Sequence, residues 1–399
     1  MPVMRFPAVT TIAICIAVAG VPAQTFADTF AVMSYNVRGL PPLVIENRSE
    51  EIAAIAPLLE DFHTAAAPYL GIDSVVGLQE LFFQPYYDVL TDAETVSYPY
   101  ATDKDTGGPV ELGDGLTLLS DFGIDDVVRV QWDLCFGTLG YFGSDCDTSK
   151  GFSYSRVLLE QGLPIDVYTL HADAGQDFGS RAARRDNVAQ LASYINGHSP
   201  AGTAVIVLGD TNSFYTRLGN DNIQSLLADA GLTDVWVELR RDGIVPGNGD
   251  RIDDDCETAP GSGDCELFDK ILYRSGDLLR FEPTSYEVLN EMFSDEGTGD
   301  LSDHFPVVVV FEYTRTPSCG DANDDGKITA ADALKVLRVA VGIGICAAGV
   351  CDYTGDGEIA ASDALAILRV AVGQDLTPLC AGSAFIEPTE FSMSDSPDR

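Results

Sequence analysis

Five apolar runs of strand length constrain this chain most: 29–35 (TFAVMSY), 74–78 (SVVGL), 165–170 (IDVYTL), 204–208 (AVIVL) and 305–311 (FPVVVVF). They are rich in β-branched and aromatic residues and too short for ordinary helices. Between them, 49–70 and 182–195 carry apolar residues at helical spacing. Strands alternating with helices predict a layered α/β domain over 28–315. Polar residues stand at the run ends: Asn36, Glu80, His171, Asp210 with Asn212, and Asp303 with His304. Strand ends are where such a domain can converge side chains into one cleft.

A second region has different grammar. Residues 320–342 (GDANDDGKITAADALKVLRVAVG) recur as 351–373 (CDYTGDGEIAASDALAILRVAVG), offset by 31 positions, after a linker at 316–319. A match this close is an internal duplication. Each copy opens an acidic loop with Gly at position six. The first offers Asp321, Asn323, Asp325 and, at position twelve, Asp332; the second offers Asp352, Thr354, Asp356 and Asp363. Oxygen donors at this spacing around a Gly-permitted turn suit Ca²⁺. The apolar positions Leu334, Leu337 and Val341 fall on one helix face. The tail, 381–399, reads as polar and disordered.

The first 27 residues read as an export signal: Arg5 precedes an apolar stretch, 11–21, too short to span a bilayer, with cleavage after Ala27. Of nine cysteines, Cys15 lies in that signal. The other eight read as disulfides of a secreted protein, Cys135/Cys146 and Cys256/Cys265 as local staples, the last four open in connectivity. The formal net charge is −39. That excludes a basic nucleic-acid wrapper, and no tight nucleic-acid binding is expected.

The residue types at the strand ends define a chemistry. Glu80 is a hard oxygen ligand for Mg²⁺. Asp210 and Asn212, two apart, can hold a water and a phosphate oxygen. His171 can donate to charge developing on a phosphoryl group. Asp303 and His304 offer a proton-transfer group of suitable pKa. Together they suit metal-assisted attack of water on a phosphoester. No Ser elbow or Walker loop supports acyl transfer or NTP binding.

In order and wording, Met33-Ser34-Tyr35-Asn36, Gly77-Leu78-Gln79-Glu80, Tyr168-Thr169-Leu170-His171, Gly209-Asp210-Thr211-Asn212 and Ser302-Asp303-His304 resemble the endonuclease/exonuclease/phosphatase superfamily. Asp114-Gly115-Leu116 through Ser120, Lys150-Gly151 and Asp269-Lys270-Ile271-Leu272 are similar to its secondary landmarks. Thr169-Leu170-His171-Ala172 is nearer the sphingomyelinase-like branch in wording. The resemblance implies a four-layer α/β sandwich of the DNase I type. It implies metal ligation by Asn36 and Glu80, and transition-state stabilisation by His171. Asp210 and Asn212 would position nucleophile and phosphate, and His304, oriented by Asp303, would act as base or acid. The choice of base between Asp210 and His304 stays open.

The duplicated region resembles a type I dockerin: Asp at position twelve, one helix per loop, two copies. That implies a small all-α domain over 320–380, Ca²⁺ at both loops, and attachment to a cohesin-bearing scaffold. The cohesin-reading positions fall on Ala330, Ala331, Ala361 and Ser362, which carry little polar information. The expectation is a secreted, monomeric, metal-dependent phosphodiesterase. Membrane contact through Tyr141 and Phe142 stays open, and substrates range from DNA to sphingomyelin. The rival is a non-catalytic binding protein attached to a polysaccharide-degrading complex. His63 and His198 read as surface residues, Arg181, Arg184 and Arg185 as a solvated helix face, and Trp132 and Trp236 as packing residues.

Overall fold

The computed structural model describes residues 28–380 apart from 47, 66–67, 109–111, 139–144, 218–222, 253–255, 257–260, 296–298 and 317. The export signal (1–27), the tail (381–399), and Tyr141 and Phe142 lie outside the described residues.

The strands, in chain order, are β1 (Asp28–Asn36), β2 (Ser74–Gln79), β3 (Tyr100–Ala101), β4 (Thr117–Ser120), β5 (Gly123–Gln131), β6 (Gly151–Leu158), β7 (Pro164–His171), β8 (Val205–Asp210), β9 (Thr233–Asp234), β10 (Asp269–Arg274), β11 (Leu279–Val288), β12 (Ser294–Asp295), β13 (Gly299–Asp300) and β14 (Val307–Arg315). The helices are α1 (Arg48–Thr64), α2 (Gln84–Leu90), α3 (Phe178–His198), α4 (Ile223–Ala230), α5 (Val235–Arg240), α6 (Ala330–Ala340), α7 (Ala348–Cys351) and α8 (Ala361–Ala371). All five apolar runs are strands, and both helical stretches are helices.

Two six-stranded mixed sheets form the large unit, ordered β11-β14-β1-β2-β4-β3 and β5-β6-β7-β8-β10-β9. Each contains one parallel pair, β1 with β2 and β7 with β8, joined through α1 and α3. Their other pairings are antiparallel. Side chains alternate across β1. Phe30 and Val32 enter the core shared with the second sheet, while Ala31, Met33 and Tyr35 enter the core beneath α1. On the far side Phe152 and Tyr168 pack on Tyr194 of α3. The order is therefore helices, sheet, sheet, helices. A Cβ on Gly77 would stand 2.7 Å from Leu208 Cδ1, so glycine sets the close approach of the two sheets there.

Two strands escape the apolar-run reading for physical reasons. β5 is largely exposed and polar, an edge strand with no buried run. β11 alternates buried and exposed residues, but Pro283 interrupts it at a bulge, which an edge position tolerates.

After β14 the chain forms α6, α7 and α8 around a small core that includes Ala333, Val336, Tyr353, Ala364 and Ile367. Leu334, Leu337 and Val341 do share a helix face, but it faces solvent, as do their repeat mates Leu365, Leu368 and Val372. The disulfides are Cys135–Cys146, Cys256–Cys265, Cys319–Cys380 and Cys346–Cys351. The first two are the expected staples, and the last two resolve the open connectivity.

Candidate active site

Topology explains why distant residues meet. Asn36, His171 and Asp210 end β1, β7 and β8, and Glu80 directly follows β2. β10 and β14 run antiparallel to their neighbours, so Asp269 at the start of β10 and His304 just before β14 arrive at the same edge. In the second sheet His171 is in register with Asp210, and Asp210 with Asp269. Gly209 has φ 143°, and a Cβ there would lie 2.1 Å from Leu170 O. The strand that delivers Asp210 therefore requires glycine.

Asn36 ties the two sheets together. Its Nδ2 donates to Glu80 Oε1 at 3.0 Å and to Asp210 Oδ2 at 3.1 Å, and its Oδ1 accepts from Arg38 N. Asp210 Oδ1 accepts from Asn212 N, and Asn212 Nδ2 donates to Ala172 O. Glu80 and Asn212 both hold positive φ, 59° and 49°, a strained conformation for residues with a Cβ. Glu80 Oε1, His171 Nε2 and Asp210 Oδ2 lie within 4.8 Å of one another, a group able to hold a metal ion. Asn36 and Glu80 thus come together, but Asn36 turns its Nδ2 to Glu80 and Asp210 rather than a ligand oxygen, and the candidate ligands are Glu80, His171 and Asp210.

The two histidines sit on opposite sides of Asp210. His171 Nε2 is 3.4 Å from Asp210 Oδ2 and 3.7 Å from Glu80 Oε1. His304 Nε2 is 3.6 Å from Asp210 Oδ2, and its Nδ1 meets Asp269 Oδ2 at 2.7 Å. The carboxylate that orients His304 is therefore Asp269. Asp303, expected there, is half-exposed and pairs with Arg38 at 3.3 Å. Asp303 and His304 lie in a bend ahead of β14, where one side chain meets Arg38 and the other Asp269. Asp269 carried a signal in the sequence, at the head of Asp269-Lys270-Ile271-Leu272, where it read only as a strand landmark.

Lys150 was missed in the same way, as part of Lys150-Gly151. Its buried ammonium pairs with Asp145 and stands 3.0 Å from His171 Nε2. An ammonium only donates, so His171 Nε2 is the acceptor. His171 Nδ1 has no hydrogen-bond partner among the described residues.

The charges perturb one another strongly. Burial lifts Glu80 and Asp210 above the carboxylate range, against the pull of Lys150 on Glu80 and of His304 on Asp210. Burial opposes the charged form of His304, but Asp269 and Asp210 overcome it and hold His304 well above its ordinary value. His171 goes the other way: burial, then repulsion from Lys150 and His304, keeps it well below. Burial also opposes the charge on Lys150, and Asp145 and Glu80 overcome it. Perturbed groups of both signs in one cleft are the signature of a working site.

A cavity of ≈ 340 Å³ beside His304 is lined by Phe214, Glu266, Phe268, Asp303 and Phe305 among others. A larger one, ≈ 550 Å³, lies between α4 and α5 and contains none of these catalytic candidates. The remaining histidines are partnered. His63 meets Asp121 at 2.7 Å and stacks on Tyr98, and His198 stacks on Tyr194. Arg184, expected on a solvated face, is buried and donates to Asp173 O. Trp132 and Trp236 are buried in the core.

The sequence from 33 to 304 matches the Endonuclease/Exonuclease/phosphatase family. Proteins named sphingomyelinase from Mycobacterium bovis and Mycobacterium tuberculosis are each 34% identical over 306 residues, covering 74% of this chain and 55% of theirs. The chain thus spans about half the length of the curated relatives it matches. Among solved structures, sphingomyelinase C from Streptomyces griseocarneus is 22% identical, with a TM-score of 0.48, over 71% of this chain and 99% of that one.

Proposed function

The chain belongs to the endonuclease/exonuclease/phosphatase family, and we propose that it is a secreted, metal-dependent phosphodiesterase of the sphingomyelinase-like kind. The observation that carries this reading is the convergence of Asn36, Glu80, His171, Asp210, Asp269 and His304 at one edge of two sheets, joined by hydrogen bonds and ion pairs.

The donor set fits a divalent cation such as Mg²⁺. Glu80 and Asp210 are hard oxygen donors whose burial raises their proton affinity, a cost that a cation offsets. Glu80 and Asp210 would hold it, with Asn36 as the amide beside them. Bound there, it would polarise a phosphoryl oxygen and lower the pKa of water. The chain's own residues supply the rest. Asp269 fixes the His304 ring through Nδ1, which aims Nε2 toward Asp210. Asp210 takes the proton of the attacking water, and His304, held charged by Asp269 and Asp210, donates from Nε2 to the leaving oxygen. Lys150, held by Asp145 and by His171 Nε2, provides the donor for the phosphoryl oxygens on the opposite side, and Asn212 steadies Asp210.

A lipid or small phosphodiester fits better than duplex DNA. The net charge of −39 repels a polyanion. The cavity beside His304 is lined by the rings of Phe214, Phe268 and Phe305, with Arg217 stacked over the first two, a lining that suits a small or lipid group better than a duplex. Export agrees with the four disulfides, and no helix among the described residues is long and apolar enough to cross a membrane.

The duplicated loops are read as Ca²⁺ sites of a dockerin-like module that attaches the enzyme to a cohesin-bearing scaffold. In the first, carboxylate oxygens of Asp321, Asp325 and Asp332 lie within 4.8 Å of one another. The second repeats the framework: Asp352 accepts from Asp356 N and Gly357 N as Asp321 does from Asp325 N and Gly326 N. Hard oxygens around a glycine turn fit Ca²⁺.

The test of the enzyme is hydrolysis of a chromogenic phosphodiester by the full chain with Mg²⁺, with EDTA, and as His304→Ala. Activity should fall in the last two, for His304→Ala by about 10²–10⁴-fold, the usual worth of a proton-transfer group. Equal turnover in all three sinks the proposed site, and no turnover on a broad phosphoester panel favours the non-catalytic reading.

A further inference from the structure

The two acidic loops share their backbone bonds to positions one and twelve and differ in side-chain contacts, one of which reaches the first loop from outside the repeat. In both, position one accepts from the backbone N–H groups of positions five and six, and position twelve accepts from the N–H of position three. Only the first is touched by an arginine from outside the repeat. Arg315, the last residue of β14, donates from Nη2 to Asp321 Oδ2 at 2.8 Å and from Nη1 to Asp324 O at 2.7 Å. Its Nε stands 3.5 Å from Asp324 Oδ1, and its side chain is only 10% exposed. The fit needs glycine, because a Cβ on Gly326 would meet Arg315 Nη2 at 2.7 Å. At the matching place in the second loop nothing lies within 4 Å of a Cβ on Gly357.

The oxygen that Arg315 takes matters. Asp321 Oδ2 is the one already bound by Gly326 N, whereas Oδ1 accepts only from Asp325 N. Arg315 therefore leaves Oδ1 for a cation and orients the carboxylate from behind, as outer partners of metal ligands do. The same residue belongs to the catalytic sheet. Arg315 is in register with Leu279 of β11, and Thr316 N donates to Leu278 O.

We propose that Arg315 is the joint through which cation occupancy of the first loop is coupled to the catalytic sheet, the second loop being uncoupled. The inference rests on the Ca²⁺ reading of the loops. A cation that fixes Asp321 also fixes the guanidinium bonded to it, and with it the β11–β14 edge. The module then holds one orientation on the enzyme when the first loop is filled.

Hydrogen exchange on the full chain, with and without Ca²⁺, tests this. Ca²⁺ should slow exchange in both loops and also at residues 278–281 and 312–316, there on the order of tenfold, within the usual range of coupling between sites. In Arg315→Met both loops should still slow while the strand-edge response disappears. Asp321→Ala should lose the edge response, and Asp352→Ala should keep it. Loops that slow without any edge response in the unmodified chain, or an edge response unchanged in Arg315→Met, overturn the joint and leave the Ca²⁺ reading standing. Slowing in neither loop removes the Ca²⁺ reading and the joint with it.

Discussion

The cleft and the duplicated loops both gather carboxylates, by opposite means. In the loops the acids lie within twelve positions of one another and are held by nearby backbone N–H groups. In the cleft Glu80, Asp210 and Asp269 come from three separate strand ends and are held largely by side chains, Asn36 reaching across 174 positions to Asp210. Asp363 shows the first regime: burial raises it, but N–H bonds from Ala360 and Thr354 outweigh burial and hold it low. Asp210 shows the second, where burial wins and the carboxylate is lifted. Local bonding holds Asp363 low without a cation, whereas at Asp321 burial outweighs bonds of the same kind and lifts the carboxylate. Long-range convergence leaves a carboxylate costly until substrate or metal arrives, which is what a catalytic site requires.

The sharpest way to break that contrast is to remove a long-range partner. Asp269→Asn should lower kcat/KM by about 10–100-fold, the usual worth of an outer residue that orients a ligand or base. Asp303→Asn, whose carboxylate meets Arg38, should change it by less than about threefold. Steady-state kinetics of the two variants decide the matter. Equal losses would restore Asp303 as the orienting group and contradict the geometry of His304.

The same contrast explains what the sequence disclosed. The strand runs with their terminal Asn36, Glu80, His171 and Asp210 are local patterns, so they were legible, as was every loop position from Asp321 to Asp363. Partnerships were not. Asp269 with His304 spans 35 positions and Lys150 with His171 spans 21. Nothing in either local segment marks its partner, because Lys150 reaches His171 across the β6–β7 pairing and Asp269 reaches His304 across the two packed sheets. Asp303, adjacent to His304, was the natural guess, and the bend before β14 turns its carboxylate to Arg38. The repeat misled in one respect as well. Leu334, Leu337 and Val341 read as an apolar face, yet the core chose the smaller Ala333 and Val336.

A loop carboxylate should be structural even without a cation, and Asp363→Ala tests that. Its two oxygens accept from Thr354 N, Thr354 Oγ1 and Ala360 N. Removing them strands buried donors at about 1–3 kcal/mol. Calorimetry in EDTA should show the C-terminal module destabilised by that order, while kcat measured with Mg²⁺ is unchanged. A module indifferent to the change in EDTA would mean that the N–H bonds carry no weight without Ca²⁺.

A last test probes how far the costly regime extends behind His171. Asp173 is buried, its Oδ1 has no hydrogen-bond partner among the described residues, and its Oδ2 accepts from Phe136 N. Burial first, then Asp145, pushes its pKa up to about 7, from an ordinary 3.8. A carboxylate raised on folding binds its proton more tightly in the folded chain. Its contribution to stability is complete below the unfolded value and is lost as pH rises through the folded one. Between those values the loss approaches ~1.4 kcal/mol per pH unit, the slope for one extra proton bound by the folded state. Asp173→Asn cannot ionise, so its stability should fall less steeply than that of the unmodified chain from pH 4 to 7. The variant therefore gains on the parent as pH rises. Urea unfolding across that pH series reads the difference directly. Parallel curves would mean that Asp173 titrates as it does in water, and that the costly carboxylates end at the cleft itself.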